Sequence, residues 1–201
     1  MQKPATKNNP AKPFDFVGGS PALDFCNTVS WRWREGALDY LSRPAELVRW
    51  IREAGLQGNI GELRMTNADL RRARRLRDSL FAAFHARITA NAPSRLGLAV
   101  INKEIARCQK KRRLMPAANG FTWKSSPRTI DRLVCLVIED AAALLTSELG
   151  ARVRVCEGPG CGWLFLDRSK NLPRRWCSMK DCGNKAKAQR HYRRARTRQS
   201  D

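Results

Sequence analysis

Residues 156–182 read CEGPGCGWLFLDRSKNLPRRWCSMKDC. Two cysteine pairs, Cys156/Cys161 and Cys177/Cys182, each enclose four residues, and fifteen residues separate the pairs. Paired cysteines bracketing a loop of this size have the spacing of a structural zinc site, with four thiolates in a tetrahedron about 2.3 Å from the metal. The competing reading is two buried or disulfide-linked pairs. The surroundings favour zinc. Gly158, Pro159, Gly160 and Gly162 supply the tight turn that the first pair needs, and Ser178 can cap a helix whose first turn holds Cys182. Arg174, Arg175, Lys180 and Lys185 surround the second pair, and positive charge together with a helix N-terminus stabilises thiolates. So small a segment buries little core alone, which predicts that metal binding and folding are coupled over residues 151–198.

Outward from the second pair, the chain becomes strongly basic. Residues 151–201 hold 14 Lys/Arg against 4 Asp/Glu. On a helical wheel started at Lys185, the residues Lys187, Arg190, Arg193, Arg194, Arg196 and Arg198 fall with it on an arc of about 220°. Ala188, His191, Tyr192 and Ala195 fill the remaining sector, a narrow face expected to pack on Trp163, Phe165 or Trp176. A solvated face ordinarily mixes both signs, so an arc of one sign points to a polyanion that neutralises it. Arg174, Arg175, Lys185, Lys187, Arg190, Arg193, Arg194 and Arg196 are the candidate nucleic-acid contacts, the alternative being an inert solvated helix.

The whole chain repeats the imbalance, with 39 Lys/Arg against 18 Asp/Glu in 201 residues, a formal charge of +21. Such a charge favours nucleic acid first and an anionic membrane surface second. Residues 1–16 combine lysines and prolines without an apolar h-region, and no apolar run approaches the roughly 18 residues of a membrane span. A reducing cytoplasm is therefore expected, where seven cysteines do not imply a disulfide framework. Cys26, Cys108 and Cys135 then read as isolated, small core residues.

Upstream the patterning is helical. A helix is expected over 44–54, with Ser42 as cap and Pro44 in its first turn. Another runs from the capping-box pair Thr66 and Asp69 to about Ala90, and a third covers 95–112. Residues 120–126 read as a short strand. From Ser126-Pro127 to Gly150, apolar residues from Ile130 to Leu149 recur at three- and four-residue steps, marking the central core helix. Leu23 to Val29 suggests a short helix after the Gly18-Gly19 turn. "ARVRVC" and "GWLFLD" alternate or run as strands on either side of the Gly/Pro knuckle.

Three further features bear on function. The runs 71–77 (RRARRLR) and 110–113 (KKRR) are either solvent faces of helices or auxiliary phosphate contacts. Gly18-Gly19 lacks the pattern of a phosphate loop. Asp24 and Asn27 lie one turn apart in an apolar stretch, just before Trp31 and Trp33, and are candidates for a small effector pocket, although capping explains them equally. No nucleophile or acid–base constellation stands out, so an enzyme is not expected.

The segment from Cys156 to Arg194, with its knuckle, "WLFLD", "SKN", "RRWCS" and Cys182-Gly183-Asn184 in order, resembles the CGNR zinc finger. The part before it, with "FVGGSPALDFCNTV" (16–29), resembles the ABATE domain that accompanies that finger. The resemblance implies a stress-induced transcription regulator with a DNA-binding finger. One position departs: the motif's Arg is Lys185 here, which keeps charge but loses the planar fork for bidentate contacts. The expected architecture is α+β. A disordered tail (1–13) precedes a mainly helical N-terminal domain with a small sheet (14–150), followed by a treble-clef-like zinc finger of hairpin knuckle and basic helix (151–198). The expected cofactor is Zn2+, and the expected partner is nucleic acid, duplex DNA before RNA or ribosomal RNA. A small-molecule effector is the further candidate partner, and no segment specifies an oligomer interface.

Overall fold

The computed structural model describes residues 14–56, 64–124 and 129–198. The expected tail at 1–13 and the expected Ser126-Pro127 helix start lie outside them. In chain order the elements are α1 (Pro21–Cys26), β1 (Val29–Ser30), β2 (Leu38–Asp39), α2 (Pro44–Glu53), α3 (Asn67–Ile88), α4 (Arg95–Lys111), β3 (Arg113–Ala117), β4 (Gly120–Lys124), α5 (Thr129–Thr146), β5 (Val153–Val155), β6 (Leu164–Leu166) and α6 (Asn184–Arg198). A 3-10 turn (Glu148–Arg152) precedes β5, and a π turn (Met179–Gly183) precedes α6. Among the described residues the strands form three separate two-stranded antiparallel ladders, β1–β2, β3–β4 and β5–β6. The fold is α+β and mainly helical, as the patterning indicates.

The helical core forms where the periodicity places it. At the start of α3, the Thr66 hydroxyl accepts from the Asp69 amide (3.2 Å), and the Asp69 carboxylate accepts from the Thr66 amide (2.9 Å), a reciprocal cap. Ala73, Leu76, Leu80 and Phe84 of α3 face Leu133, Val134, Val137, Ile138 and Ala141 of α5 in one buried cluster. Each of the larger of these contributes about 2 kcal/mol on leaving water. Asp140 of α5 accepts from the Ser20 hydroxyl (2.7 Å) and the Ala22 amide (2.8 Å), docking the N-terminus of α1 on the core. Phe25 of α1 meets Trp50 of α2 at 5.2 Å between ring centroids.

Several expectations are corrected. Arg43, not Ser42, precedes α2, and its side chain makes no capping bond. α1 stops at Cys26, because the chain turns to pair Val29 with Asp39. Arg113–Ala117, unassigned from sequence, is the strand that pairs β4. Cys108 and Cys135 are not isolated: α4 and α5 pack side by side and bring them into a disulfide. This is at odds with the expectation that the cysteines outside the metal pairs are isolated core residues. Cys26 is fully buried, and burial pushes its thiol up to about 12.

The run 71–77 is largely structural. Arg72 bridges Glu104 (2.6 Å) and Asp131 (2.7 Å) across α3, α4 and α5. Arg77 is buried and grips both oxygens of Asp39 (2.7 and 3.0 Å), while Arg74 reaches the Leu41 carbonyl. Only Arg71 and Arg75 of the five arginines are left on the exposed face. Within 110–113, Arg112 pairs with Glu139 of α5 at 3.1 Å.

The hairpin β5–β6 does not stand apart from the helices. Val153, Leu164 and Leu166 belong to the same buried cluster as α3 and α5. The Leu166 amide donates to the Gly18 carbonyl (2.8 Å), and the Trp163 indole donates to the Val29 carbonyl (3.0 Å). Among the described residues no helix is long and apolar enough to cross a membrane.

Candidate metal centre

Four chain segments deliver the four cysteines. β5 ends at Val155 and hands over to Cys156, whose amide donates to the Trp163 carbonyl at 2.7 Å and so closes the knuckle. Within the knuckle the Cys161 amide donates to the Gly158 carbonyl (2.9 Å), curling Cys161 back toward Cys156. After β6 the chain makes an excursion that Asp167 organises. Its carboxylate, fully buried, accepts from the amide (3.0 Å) and hydroxyl of Ser169 and from the Arg174 amide (3.0 Å). Burial alone raises an acid, but these hydrogen bonds outweigh it and hold Asp167 below the usual carboxylate range. The Arg174 guanidinium lies 4.7 Å over the Phe165 ring and donates to the Cys177 carbonyl (2.8 Å). Cys177 is thus returned to the knuckle, and the π turn then brings in Cys182.

The four sulfurs lie within 4.8 Å of one another. Cys177 Sγ is 3.7 Å from both Cys161 Sγ and Cys182 Sγ. Thiolates at about 2.3 Å from a tetrahedral ion stand about 3.8 Å apart, so the donor set fits zinc. Amides of Gly158 (3.4 Å) and Cys177 (3.2 Å) donate to Cys156 Sγ. Without metal, hydrogen bonds from the Cys161 and Cys177 thiols, aided by these amides, lower Cys156 far below the usual thiol range. The same sharing raises Cys161 and Cys177. A metal bound here takes the place of these shared protons, which are released to solvent. Of the described residues, these four are the set that could hold a metal ion, and His191, a weak fifth candidate on its sequence position, is exposed on α6 and outside it.

Gly158 shows how tightly the centre is closed. A Cβ there would sit 2.7 Å from Cys182 Cβ and 2.8 Å from its sulfur. Gly158→Ala must push a ligand aside, and we expect zinc affinity to fall about 10- to 100-fold, the range seen when metal-supporting groups are removed. Competition with a chromophoric chelator measures this; an unaltered affinity would show that the ligand loop yields freely. Gly162, with φ +67°, packs against the Trp33 ring, which itself rests on Phe81 and His85 of α3 at 5.9 and 5.6 Å.

The basic candidates fall into distinct groups. Arg174 is consumed by the excursion just described. Arg175 pairs with Glu157 of the knuckle (2.7 Å), and that carboxylate raises its pKa further. Lys185 pairs with Asp181 one turn back at 2.8 Å, which likewise raises it. Lys187 and Arg190 are exposed, whereas nothing is described of the Arg193, Arg194 and Arg196 side chains. The expected packing face is corrected: Ala188, His191 and Tyr192 are exposed, Tyr192 by 71 %. α6 instead turns Ala186, Gln189 and Arg190 toward Glu157, Pro159, Arg175 and Trp176, across an open cleft of about 270 Å³. Ser178 precedes the π turn without a side-chain capping bond.

Asp24 and Asn27 also separate. The Asn27 side chain is buried and bonds both ways to Leu164, its amide donating to the carbonyl and its oxygen accepting from the amide, each at 2.8 Å. Asp24 accepts from the Gly18 amide (2.7 Å), and burial pushes its carboxyl up to about 6, with Asp140 adding repulsion. It borders a cavity of about 10 Å³, room for one water, and an open depression of about 400 Å³ lined by Phe16, Pro21, Trp50 and Leu56. Sequence reading missed Asn27 as a clamp and Asp167 as an organiser. The Asp-x-Ser spacing at 167–169 was a turn signal, whereas Asn27 offered none.

Residues 19–148 match the family model ABATE, described as "Putative stress-induced transcription regulator". Residues 152–195 match the CGNR zinc finger. Neither is an enzyme family. No curated protein matches the chain.

Proposed function

This chain belongs to the ABATE family and carries a CGNR zinc finger over residues 152–195, and on that premise we propose that it is a zinc-dependent, DNA-binding transcription regulator. The observation that carries the reading is the mounting of α6. The turn that supplies Cys182 runs without a break into fifteen helical residues, and the described side chains beyond Ala186 are exposed. Those fifteen residues contain seven Lys/Arg and no acid. A helix of this length is marginal in water by itself, and its self-repulsion adds to that cost. A row of phosphates offsets both terms. Arg174 is held inside the finger, and Arg175 and Lys185 already sit in exposed ion pairs with Glu157 and Asp181, so Lys187, Arg190, Arg193, Arg194 and Arg196 are the phosphate contacts in this reading. The 14–150 part would sense an effector in the depression beside Asp24, whose carboxyl exchanges its proton near pH 6.

Replacing Arg190, Arg193 and Arg194 together by Gln should weaken binding to every duplex sequence. The slope of log K against log salt should fall by about 0.9 for each phosphate that is no longer neutralised. An unchanged slope means α6 is not the contact surface. Equal or tighter retention of structured RNA in competition at physiological salt would favour the RNA-binding reading instead.

A further inference from the structure

The hairpin β3–β4 has no counterpart in the zinc-finger reading. Its register pairs Leu114 with Trp123 and Pro116 with Phe121. Alternation along a strand puts these four on one face. They are not buried: Leu114 is 54 % exposed, Phe121 72 % and Trp123 55 %, and every residue of β3 lies open to solvent. A two-stranded ribbon without core contacts is marginal, and large aromatic rings displayed on it mark a contact surface. The ribbon is firmly rooted. Arg112, at the end of α4, pairs with Glu139 of α5 and lies 4.5 Å over the Trp123 ring, and the Cys108–Cys135 disulfide joins the same two helices one turn earlier.

Charge selects the occupant. Residues 110–124 hold five Lys/Arg and no Asp/Glu. A second copy would bring like charges together around the apolar face. A partner that joins dense negative charge to flat apolar faces meets both features, and nucleic acid has that chemistry. We propose that β3–β4 is a second nucleic-acid contact, in which Phe121 and Trp123 lie against bases while the cations at its root hold the flanking phosphates. Rings and small apolar side chains on a basic ribbon are suited to wedge a base step of a duplex. This rests on the nucleic-acid reading of α6 but uses a different surface.

The test uses the full, zinc-loaded chain and a mixed-sequence DNA duplex carrying 2-aminopurine. The variant is Phe121→Ala/Trp123→Ala, whose side chains are solvent-exposed. Affinity is expected to fall about 10- to 100-fold, with the salt slope unchanged, because rings and not charges are removed. The wild type should raise 2-aminopurine fluorescence by unstacking, and the variant should not. Affinity within twofold of the wild type overturns the proposal. So does a Trp123 response to phosphatidylserine vesicles without one to DNA, or self-association that the double substitution abolishes. If the wild type binds no duplex, the α6 reading falls with it. If binding survives the hairpin substitution but not Arg190, Arg193 and Arg194→Gln, the hairpin proposal falls alone.

Discussion

Cys182→Ser is expected to yield a chain that retains no zinc after dialysis and exchanges amide hydrogens freely from residue 167 onward. The apolar cluster under the metal is small: Cys156, Phe165, Cys177 and Cys182 are its buried members, with Val17, Cys161, Trp163 and Trp176 partly covering them. One buried phenyl ring is too small a core to hold the excursion, the π turn and the start of α6 in place. A bound structural zinc contributes on the order of 10 kcal/mol, which makes it the dominant stabilising term for the excursion, the π turn and the start of α6. Loss of one thiolate removes most of it. The damage should stop at β6, because Val153, Leu164 and Leu166 are held by the large core and not by the metal. The expectation that all of residues 151–198 would unfold is narrowed accordingly. Emission spectrometry counts the metal, and hydrogen exchange by mass spectrometry locates the unfolding. One equivalent of tightly held metal, or protected amides from 177 to 190, would overturn the four-cysteine site.

Asn27→Ala should lower global stability by about 2 to 5 kcal/mol, since it leaves the amide and carbonyl of the fully buried Leu164 without partners. For a chain of this size that is a fall in Tm of roughly 5 to 20 °C. The effect should also reach the metal. Leu164 adjoins Trp163, whose carbonyl closes the knuckle on the Cys156 amide and whose indole is tied to Val29. Zinc should therefore pass to a chelator faster in the variant, although residue 27 is not one of the ligands. Thermal unfolding and chelator kinetics on one preparation measure both effects. A change below about 0.5 kcal/mol, typical of a surface substitution, would show that the clamp is decorative.

What could be read from the sequence was local. Thr66 and Asp69 announce a helix start because both partners lie within one turn, and the four cysteines announce a metal because spacing is their signal. The helical wheel of α6 gathers its cations on one arc, but a wheel says which residues share a face and not whether anything lies opposite. β5 and β6 are three residues each, too short to run beneath a fifteen-residue helix, so Tyr192 and His191 are left in solvent. β3 escaped notice because Pro116 interrupts its pattern, and proline is tolerated only on an edge strand such as this. The most consequential pairings join distant positions: Asn27 with Leu164, Arg72 with Glu104 and Asp131, Cys108 with Cys135. They follow from how helices cross, which no single window of sequence contains.

The mounting of α6 has a mechanical consequence. Fifteen residues at about 1.5 Å each make an arm of about 22 Å, pivoted at the turn that carries Cys182. A tilt of about 10° at that pivot carries the far end through about 4 Å, more than the roughly 3.4 Å between successive base pairs. In the proposed DNA-binding reading, the seat of the metal therefore sets the registration of the whole arm along the duplex. Because Gly158 touches Cys182 on one side and the knuckle's Gly162 leans on Trp33 over α3 on the other, a sub-ångström adjustment in the helical part would be geared up to a base-pair step at the tip.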